Sequence, residues 1–446
     1  SDLWSDQMRQ DVRGYPIDSE NDAAVDAFDR AIARFFEFRA DPPDLADAAI
    51  AADPDCAMAQ LLKGFLLVGA QSRKLRPTIG AHVQAAERKG AGLPARAKGW
   101  LVGLKALHAN DLPAAAKAFD AHLAEFPCDL LIVKMMQQQA LFWRGRSLEL
   151  RESMLRLRHA WDENVPGYAH YLGLMAFGFE ESGDYETAER LGRACVERAP
   201  EDLWGVHTVA HVLVMQGRHQ DGIRWIDYPI DAWEGRAPLY RHVWWHKALF
   251  HWDSGDFDGA LHLFDQAVYP KRTTAYIDLQ NAASLLWRLE MAGCDVGDRW
   301  QDVAAQAEET LDDQLLAFTD THVAMALGRT GKGEALARHR QVIAERADGD
   351  GYAASLAAGV TLPLTEAIGS YFAGDYDRAV DGLIASREDW SRVGGSHAQR
   401  DIYGQALIDA AMKAGRKTLA AALISERAAL NPTSAGVAHW RGQLAA

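Results

Sequence analysis

The sequence is poor in cysteine. Its four cysteines, Cys56, Cys128, Cys195 and Cys294, lie far apart and include no Cys-x-x-Cys pair. Disulfide frameworks and zinc ribbons both need paired or closely spaced cysteines. Neither is therefore expected, and the spacing favours reduced thiols in a cytoplasmic protein.

Positive charge is also scarce. Lys and Arg number 47 against 62 Asp and Glu, which gives a formal net charge of −15, and the basic residues are interleaved with acidic ones. Nucleic acids and anionic membranes attract basic surfaces, so neither is an expected partner. No apolar run approaches the roughly 20 residues of a membrane helix. The polar segment from Ser1 to Tyr15 is not expected to be a signal peptide.

Strand-like alternation of apolar and polar residues is missing as well. Of the 446 residues, 48% are apolar and 24% are charged, as in an ordinary soluble protein. Apolar residues recur at helical spacing over 60–107 and 275–345. The chain is therefore predicted to be all-α.

A short turn motif recurs between the predicted helices. Glycine lets the chain reverse between antiparallel helices, and proline closes the second helix because it cannot continue one. The second residues of three turns, at 184, 218 and 256, are 34 and 38 residues apart, and 34 is the tetratricopeptide period. The turns with their small residue and closing proline are Asn110-Asp111-Leu112 with Ala115 and Pro127, Gly183-Asp184-Tyr185 with Ala188 and Pro200, Gly217-Arg218-His219 with Gly222 and Pro229, Gly255-Asp256-Phe257 with Ala260 and Pro270, and Gly374-Asp375-Tyr376 with Ala379.

This pattern predicts a helical-repeat solenoid of the tetratricopeptide type, a superhelix of antiparallel helix pairs. We expect one continuous solenoid over 1–446, with the clearest repeats in 100–270 and degenerate repeats with capping C-terminal helices in 275–446. Smaller signals are Ser19 as the cap of a helix that runs to about Arg39, Pro42-Pro43 before the next helix, and a connecting turn from Asp348 to Gly351.

Two histidine pairs have the spacing i, i+4, namely His207 with His211 and His242 with His246. On a helix, each pair shares one face. With the turn glycine as position 15 of the repeat, Ala210 falls at the small position 8, and the first pair falls at positions 5 and 9, which line the concave groove. The same register brings His170, Glu180 and Glu181 of the preceding repeat toward this stretch of groove.

These histidines predict a polar pocket in the concave face. Imidazole is a common metal ligand and titrates near neutrality, so the four side chains can hold a divalent metal such as zinc or act as acid and base. Thr208 stands where the zincin motif has its general-base glutamate, so that motif is not present. The alternative is that the histidines only pack between tryptophan-rich helices. Five tryptophans, either pocket walls or core residues, surround the region: Trp204, Trp233, Trp244, Trp245 and Trp252.

A second candidate site is the segment from Gly394-Gly395-Ser396 to Gln399-Arg400-Asp401. Ser396 and Gln399 have the spacing of a capping box, which opens a helix. A helix N-terminus after two glycines can hold an anion, and Arg400 can pair with a carboxylate or phosphate. The alternative is a well-capped helix with an ordinary Arg–Asp pair. A similar, shorter signal is Asp320, expected to cap the helix that carries His322.

These stretches together resemble the tetratricopeptide repeat protein 38 family, and the likeness runs over nearly the whole chain. The resemblance implies the repeat fold and a shared polar set, which favours a chemical site over pure packing. It also favours Glu181 over Glu180 and does not require His170 or His397. The matching stretches are Asp202 with Val206–His211, His242–Leu249, Trp287–Met291, Arg299–Val303, Asp320 with His322, Leu362–Leu364, Gly394–Ser396 and Ala398–Asp401.

Our first hypothesis is a hydrolase that cleaves an amide or ester bond of a small molecule in the concave groove. His207, His211, His242 and His246 are the candidate metal ligands. The candidate catalytic residues are these four with His322, Glu181, Asp202 and Asp401, and the candidate substrate-binding residues are Arg400, Ser396, Trp204 and Trp245. The alternative is a non-catalytic scaffold that binds a peptide or protein partner, and a third possibility is that the histidines are purely structural.

Overall fold

The recurring turns combine a helix stop and a helix start. Gly183 has φ +87°, a conformation that ends helices and suits glycine. The carboxylate of Asp184 accepts a hydrogen bond from the backbone N–H of Thr187 at 3.1 Å and so caps the next helix. The same arrangement is found at Gly255-Asp256 and Gly374-Asp375, and with Asn110 in place of glycine at Asn110-Asp111.

A computed structural model describes residues 8–446, so part of the polar segment that is not expected to be a signal peptide lies outside the described residues. The described chain separates into two compact units, with the division inside one helix, after Thr208; Gly235–Ala237 belong to the first unit. Within the described residues, no helix is both long and apolar enough to cross a membrane.

The first unit begins with a two-residue antiparallel pair, β1 (Arg9–Gln10) and β2 (Pro16–Ile17), in which Arg9 pairs with Ile17. Helices then follow one another to the boundary. They are α1 (Asp22–Phe36), α2 (Pro42–Ala52), α3 (Ala57–Val68), α4 (Arg76–Glu87), α5 (Ala95–His108), α6 (Leu112–Glu125), α7 (Leu130–Lys134, continued as a π-helix over Met135–Leu141), α8 (Ser147–Leu157), α9 (Tyr168–Glu181), α10 (Tyr185–Arg198) and the first part of α11 (Leu203–Met215).

The second unit contains the rest of α11 and thirteen further helices among the described residues. They are α12 (His219–Trp225), α13 (Leu239–Asp253), α14 (Phe257–Leu263, then a π-helix over Phe264–Val268), α15 (Tyr276–Met291), α16 (Trp300–Glu309), α17 (Ala317–Arg329), α18 (Gly333–Ala347), α19 (Tyr352–Leu356, then a π-helix over Ala357–Thr361), α20 (Leu362–Phe372), α21 (Tyr376–Ser386, then a 3₁₀ helix over Arg387–Val393), α22 (His397–Lys413), α23 (Lys417–Leu430) and α24 (Ala435–Ala445).

Small residues let the paired helices approach closely. Ala188, Ala260 and Ala379 are fully buried at the predicted small positions. At Gly222 a β-carbon would lie 2.3 Å from the ring of Phe250, so any larger residue would have to displace that ring. The predicted all-α class of antiparallel helix pairs is confirmed, whereas the prediction of one continuous solenoid over 1–446 stays a prediction.

Two helix starts differ from those predicted. Asn21, not Ser19, caps α1 through bonds from the backbone N–H groups of Ala23 and Ala24, and the helix ends at Phe36. Ser19 instead hydrogen-bonds the carboxylate of Asp53 at 2.5 Å. Asp320 is not a cap either, because α17 begins at Ala317 and places the Asp320 carboxylate inside the helix.

Candidate metal centre and ligand cavity

Three of the four paired histidines converge in the core of the second unit. His211 comes from the second half of α11, and His242 and His246 lie one turn apart on α13. Their exposed fractions are 0%, 3% and 0%. The ring centroid of His246 is 4.3 Å from that of His211 and 4.7 Å from that of His242. Each side chain offers a nitrogen within 4.8 Å of the other two, so the three can share one ligand.

The environment of His242 fixes its orientation and its charge. Its Nδ1 lies 2.7 Å from Oδ1 of Asn281, and because an amide oxygen only accepts, Nδ1 carries the proton and donates. The indole of Trp245 stacks on the ring at 5.0 Å between centroids and 15° between planes. Burial lowers the pKa of His242 to about 4. The imidazole is therefore neutral at physiological pH, with Nε2 as its electron-pair donor.

Several predicted partners of these histidines belong to the first unit. His207 lies one turn before His211 on α11, and its ring is 4.6 Å from that of Trp204. The carboxylate of Asp202 accepts from the backbone N–H of Trp204 at 2.9 Å and contacts Nδ1 of His170 at 2.8 Å. Glu180 and Glu181 are buried at the end of α9. The site roles predicted for Glu181, His207, Asp202 and Trp204 stay predictions.

His322 is held by its own helix. Its Nδ1 lies 2.7 Å from the carbonyl oxygen of Phe318, and its ring packs 4.4 Å from the Phe318 ring. Burial lowers its pKa to about 4. The neighbouring Asp320 pairs with Arg346 at 2.6 Å. These contacts suit a structural position, and the catalytic role of His322 stays a prediction.

The segment Gly394–Asp401 lies beside a cavity of about 440 Å³ in the second unit. The predicted capping box is confirmed: Ser396 Oγ accepts from the backbone N–H of Gln399, and the Gln399 side chain accepts from that of Ser396. The Ser396 hydroxyl therefore caps the helix, whereas Arg400 and Asp401 line the cavity. Other residues around it are Leu249, Phe250, Trp252, Asp253, Arg288, Arg387, Glu388, His397, Leu407, Glu426, Arg427, Leu430 and Asn431.

Asp401, one of the candidate catalytic residues, is paired with an arginine, and its catalytic role stays a prediction. Its carboxylate forms an ion pair with Arg427 and accepts a hydrogen bond from Gln405 at 2.7 Å. Burial alone would raise the pKa of Asp401, but Arg427 outweighs burial and lowers it. The charge of Arg427 is thus neutralised within the cavity wall.

Arg288 is the functional candidate that sequence reasoning missed. It is 1% exposed on α15 and lines the cavity. Its guanidinium donates to the backbone carbonyls of Ser284 at 3.2 Å and Ala398 at 3.0 Å. Among the described residues, no carboxylate lies within 4 Å of it. Burial lowers the pKa of Arg288 to about 10, so the group stays charged. In the sequence Arg288 lies in a largely apolar helical run, Ala282–Leu289, and inside the matching stretch Trp287–Met291, but neither feature marked it as a site residue.

No family model matches the chain. A solved structure described as "Structure of Naa15/Naa10 bound to HypK-THB" is similar, with 15% sequence identity, coverage of 90% of this chain and 62% of that chain, and a TM-score of 0.26. The chain thus spans less than two thirds of that neighbour's length. So low a TM-score carries no argument about function, and the likeness to the tetratricopeptide repeat protein 38 family stays a resemblance.

Proposed function

We propose that this helical-repeat protein is a non-catalytic binding protein that receives the carboxyl terminus of a partner polypeptide in the cavity of its second unit. Arg288 carries the proposal. A guanidinium has five N–H groups in a fork that matches a carboxylate. The backbone carbonyls around Arg288 use only some of these donors. An entering carboxylate would therefore find both charge and donors at a buried guanidinium, where such bonds are strong.

The rest of the cavity suits a chain end with an apolar last residue. Leu249, Phe250 and Leu407 supply an apolar wall beside Arg288. At the mouth, Leu430 is 74% exposed, the highest fraction among the large exposed apolar side chains of the described residues. A polypeptide that leaves the cavity would cover this leucine, whereas a small free acid would not. For this reason we favour a partner protein over a free small molecule.

The hydrolase hypothesis has weaker support. A substrate would have to reach the imidazoles of His211, His242 and His246, which are at most 3% exposed. The cavity itself presents the buried charge of Arg288 and the paired Asp401 and Arg427. A binding role needs only the charge and shape of the cavity.

The test compares short peptides with an apolar last residue, made as free acids and as C-terminal amides, by fluorescence polarisation. We expect the free acid to bind and the amide to bind at least about 10-fold more weakly. Arg288→Met should abolish this difference in affinity, whereas Arg288→Lys should keep part of it. Arg329→Met, which removes an exposed arginine paired with Glu290, is the matched control. Equal binding of acid and amide would overturn the proposal. Saturable binding of free small acids without peptide binding would overturn its choice of partner.

A further inference from the structure

We propose that His211, His242 and His246 form a structural metal centre that binds one divalent transition-metal ion of the zinc type. The inference is independent of the proposed binding function, because it concerns a different side-chain cluster. It rests on the positions of three imidazole nitrogens, on the group that orients one of them, and on the kinds of donor present.

The distances suit a single ion. In a tetrahedral site with Zn–N bonds near 2.0–2.1 Å, ligand nitrogens are about 3.3–3.4 Å apart. In this structure one ring nitrogen of each of the three histidines lies within 4.8 Å of one from each of the other two. Loading would thus draw the rings together by about 1.5 Å at most, a change that rotation about the side-chain bonds can supply.

The hydrogen bond to Asn281 prepares His242 as a ligand. Metal-bound histidines donate their second ring nitrogen to a nearby acceptor, which fixes the tautomer and aims the other nitrogen at the ion. The contact from Nδ1 of His242 to Oδ1 of Asn281, 2.7 Å long, has this form. The Trp245 indole, stacked on the same ring, holds its plane. His242 therefore presents Nε2 in a fixed direction.

The donor set selects the class of ion. The cluster in the second unit offers imidazole nitrogens, and imidazole suits Zn²⁺, Cu²⁺, Ni²⁺ and Fe²⁺, whereas Mg²⁺ and Ca²⁺ prefer oxygen. Three protein ligands leave a fourth position, which a water molecule or another donor can fill. Because the three imidazoles are almost completely buried, the ion would tie α11 to α13 rather than meet substrate.

The experiment uses the full chain after metal is removed with a chelator. Zn²⁺ is added back during thermal unfolding, and Co²⁺ is titrated while its visible d–d absorption is recorded. We expect one equivalent of metal by elemental analysis, a tetrahedral-type Co²⁺ spectrum that Zn²⁺ displaces, and a rise in Tm of roughly 5–10 °C at saturating Zn²⁺.

Variants locate the ion. His246→Ala and His242→Ala should lose the Co²⁺ spectrum, whereas His322→Asn, which changes a buried histidine outside the cluster, should keep it. If the His variants fail to fold, the wild-type protein still decides the matter. Absence of both Zn²⁺-dependent stabilisation and a Co²⁺ spectrum would overturn the proposal, and so would unchanged uptake in folded His246→Ala.

Discussion

The guanidinium of Arg288 lies over the indole of Trp245, with 5.3 Å from Cζ to the ring centroid. An arginine over an aromatic face gains a cation–π attraction that increases as water is excluded. The same indole stacks on His242. One side chain therefore contacts both the proposed metal centre and the cation of the proposed ligand cavity.

Replacing Trp245 should consequently weaken both sites. Trp245→Phe removes part of the aromatic surface and the indole N–H that donates to Ser284 at 3.1 Å. We expect the affinity for free-acid peptide to fall by a few-fold, less than the roughly 30-fold that complete loss of a desolvated cation–π contact can cause, together with a weaker Zn²⁺-dependent rise in Tm. Trp244→Phe, whose ring packs on Trp233 at 5.1 Å, is the control and should change neither. Loss of stability without any change in peptide affinity would count against the shared role of Trp245.

The repeat fold was readable from the sequence because its turns rest on local chemistry. A glycine with positive φ ends one helix and the following aspartate caps the next. Both effects act over a few residues, so the motif is visible in the sequence itself. The register also placed His211 beside His242 and His246, since it fixes which helix faces meet. Arg288 was not predictable in this way. Its importance depends on α22 packing beside α15 and on Arg427 of α23 lining the same cavity, and the local sequence around residue 288 does not show which helices meet there.

The capping box at Ser396 shows that a local pattern can predict a structure correctly without predicting its function. The sequence predicted the cap correctly but left its purpose open between an anion site and a plain helix start. The structure shows Ser396 and Gln399 satisfying each other's backbone groups. Arg288 on another helix adds a buried charge to the neighbouring cavity.

His322 should make stability depend on pH. Its folded pKa is lowered to about 4, first by burial and further by the nearby charge of Arg288, against an unfolded value of 6.5. The unfolded chain therefore binds the proton more readily, and stability falls as pH drops from 6.5 toward 4, by on the order of 3 kcal/mol for this group. His322→Asn keeps a donor for the Phe318 carbonyl but does not titrate. Denaturant unfolding across this pH range should be flatter for the variant, and parallel curves would contradict the assignment.

The turn before α22 should depend on glycine at position 395. Gly395 has φ +80°, and a β-carbon there would lie 2.7 Å from the ring of Phe318. Gly395→Ala therefore combines backbone strain with a clash and should cost about 1–3 kcal/mol of unfolding free energy. Gly442→Ala, inside α24 at a position where an added β-carbon would meet nothing within 4 Å, should instead stabilise by about 0.5–1 kcal/mol. Comparable effects of the two changes in urea unfolding would refute this account.

A buried ion network should dominate the stability of the first unit. Asp129 is completely buried and accepts from Arg96 Nε at 2.9 Å, from Trp100 Nε1 at 2.7 Å and from His122 Nε2 at 2.9 Å. Arg96 also contacts the carboxylate of Asp11 at 2.9 Å. Burial alone would raise the pKa of Asp129, but the Arg96 guanidinium outweighs burial and holds the pKa well below its usual range.

Asp129→Asn keeps the shape of the side chain but removes the charge that balances Arg96. Breaking one side of a buried pair typically costs about 3–5 kcal/mol, so we expect a loss of this order in urea unfolding followed by tryptophan fluorescence. Because the folded pKa is depressed, this contribution is fully present above the unfolded pKa of about 3.9 and is lost as pH falls below it. The variant should therefore lose less stability than the wild type on acidification. Asp120→Asn, at an exposed pair with Arg156, should change the free energy of unfolding little. An equally small effect of Asp129→Asn would show that Asp11 alone compensates the charge of Arg96.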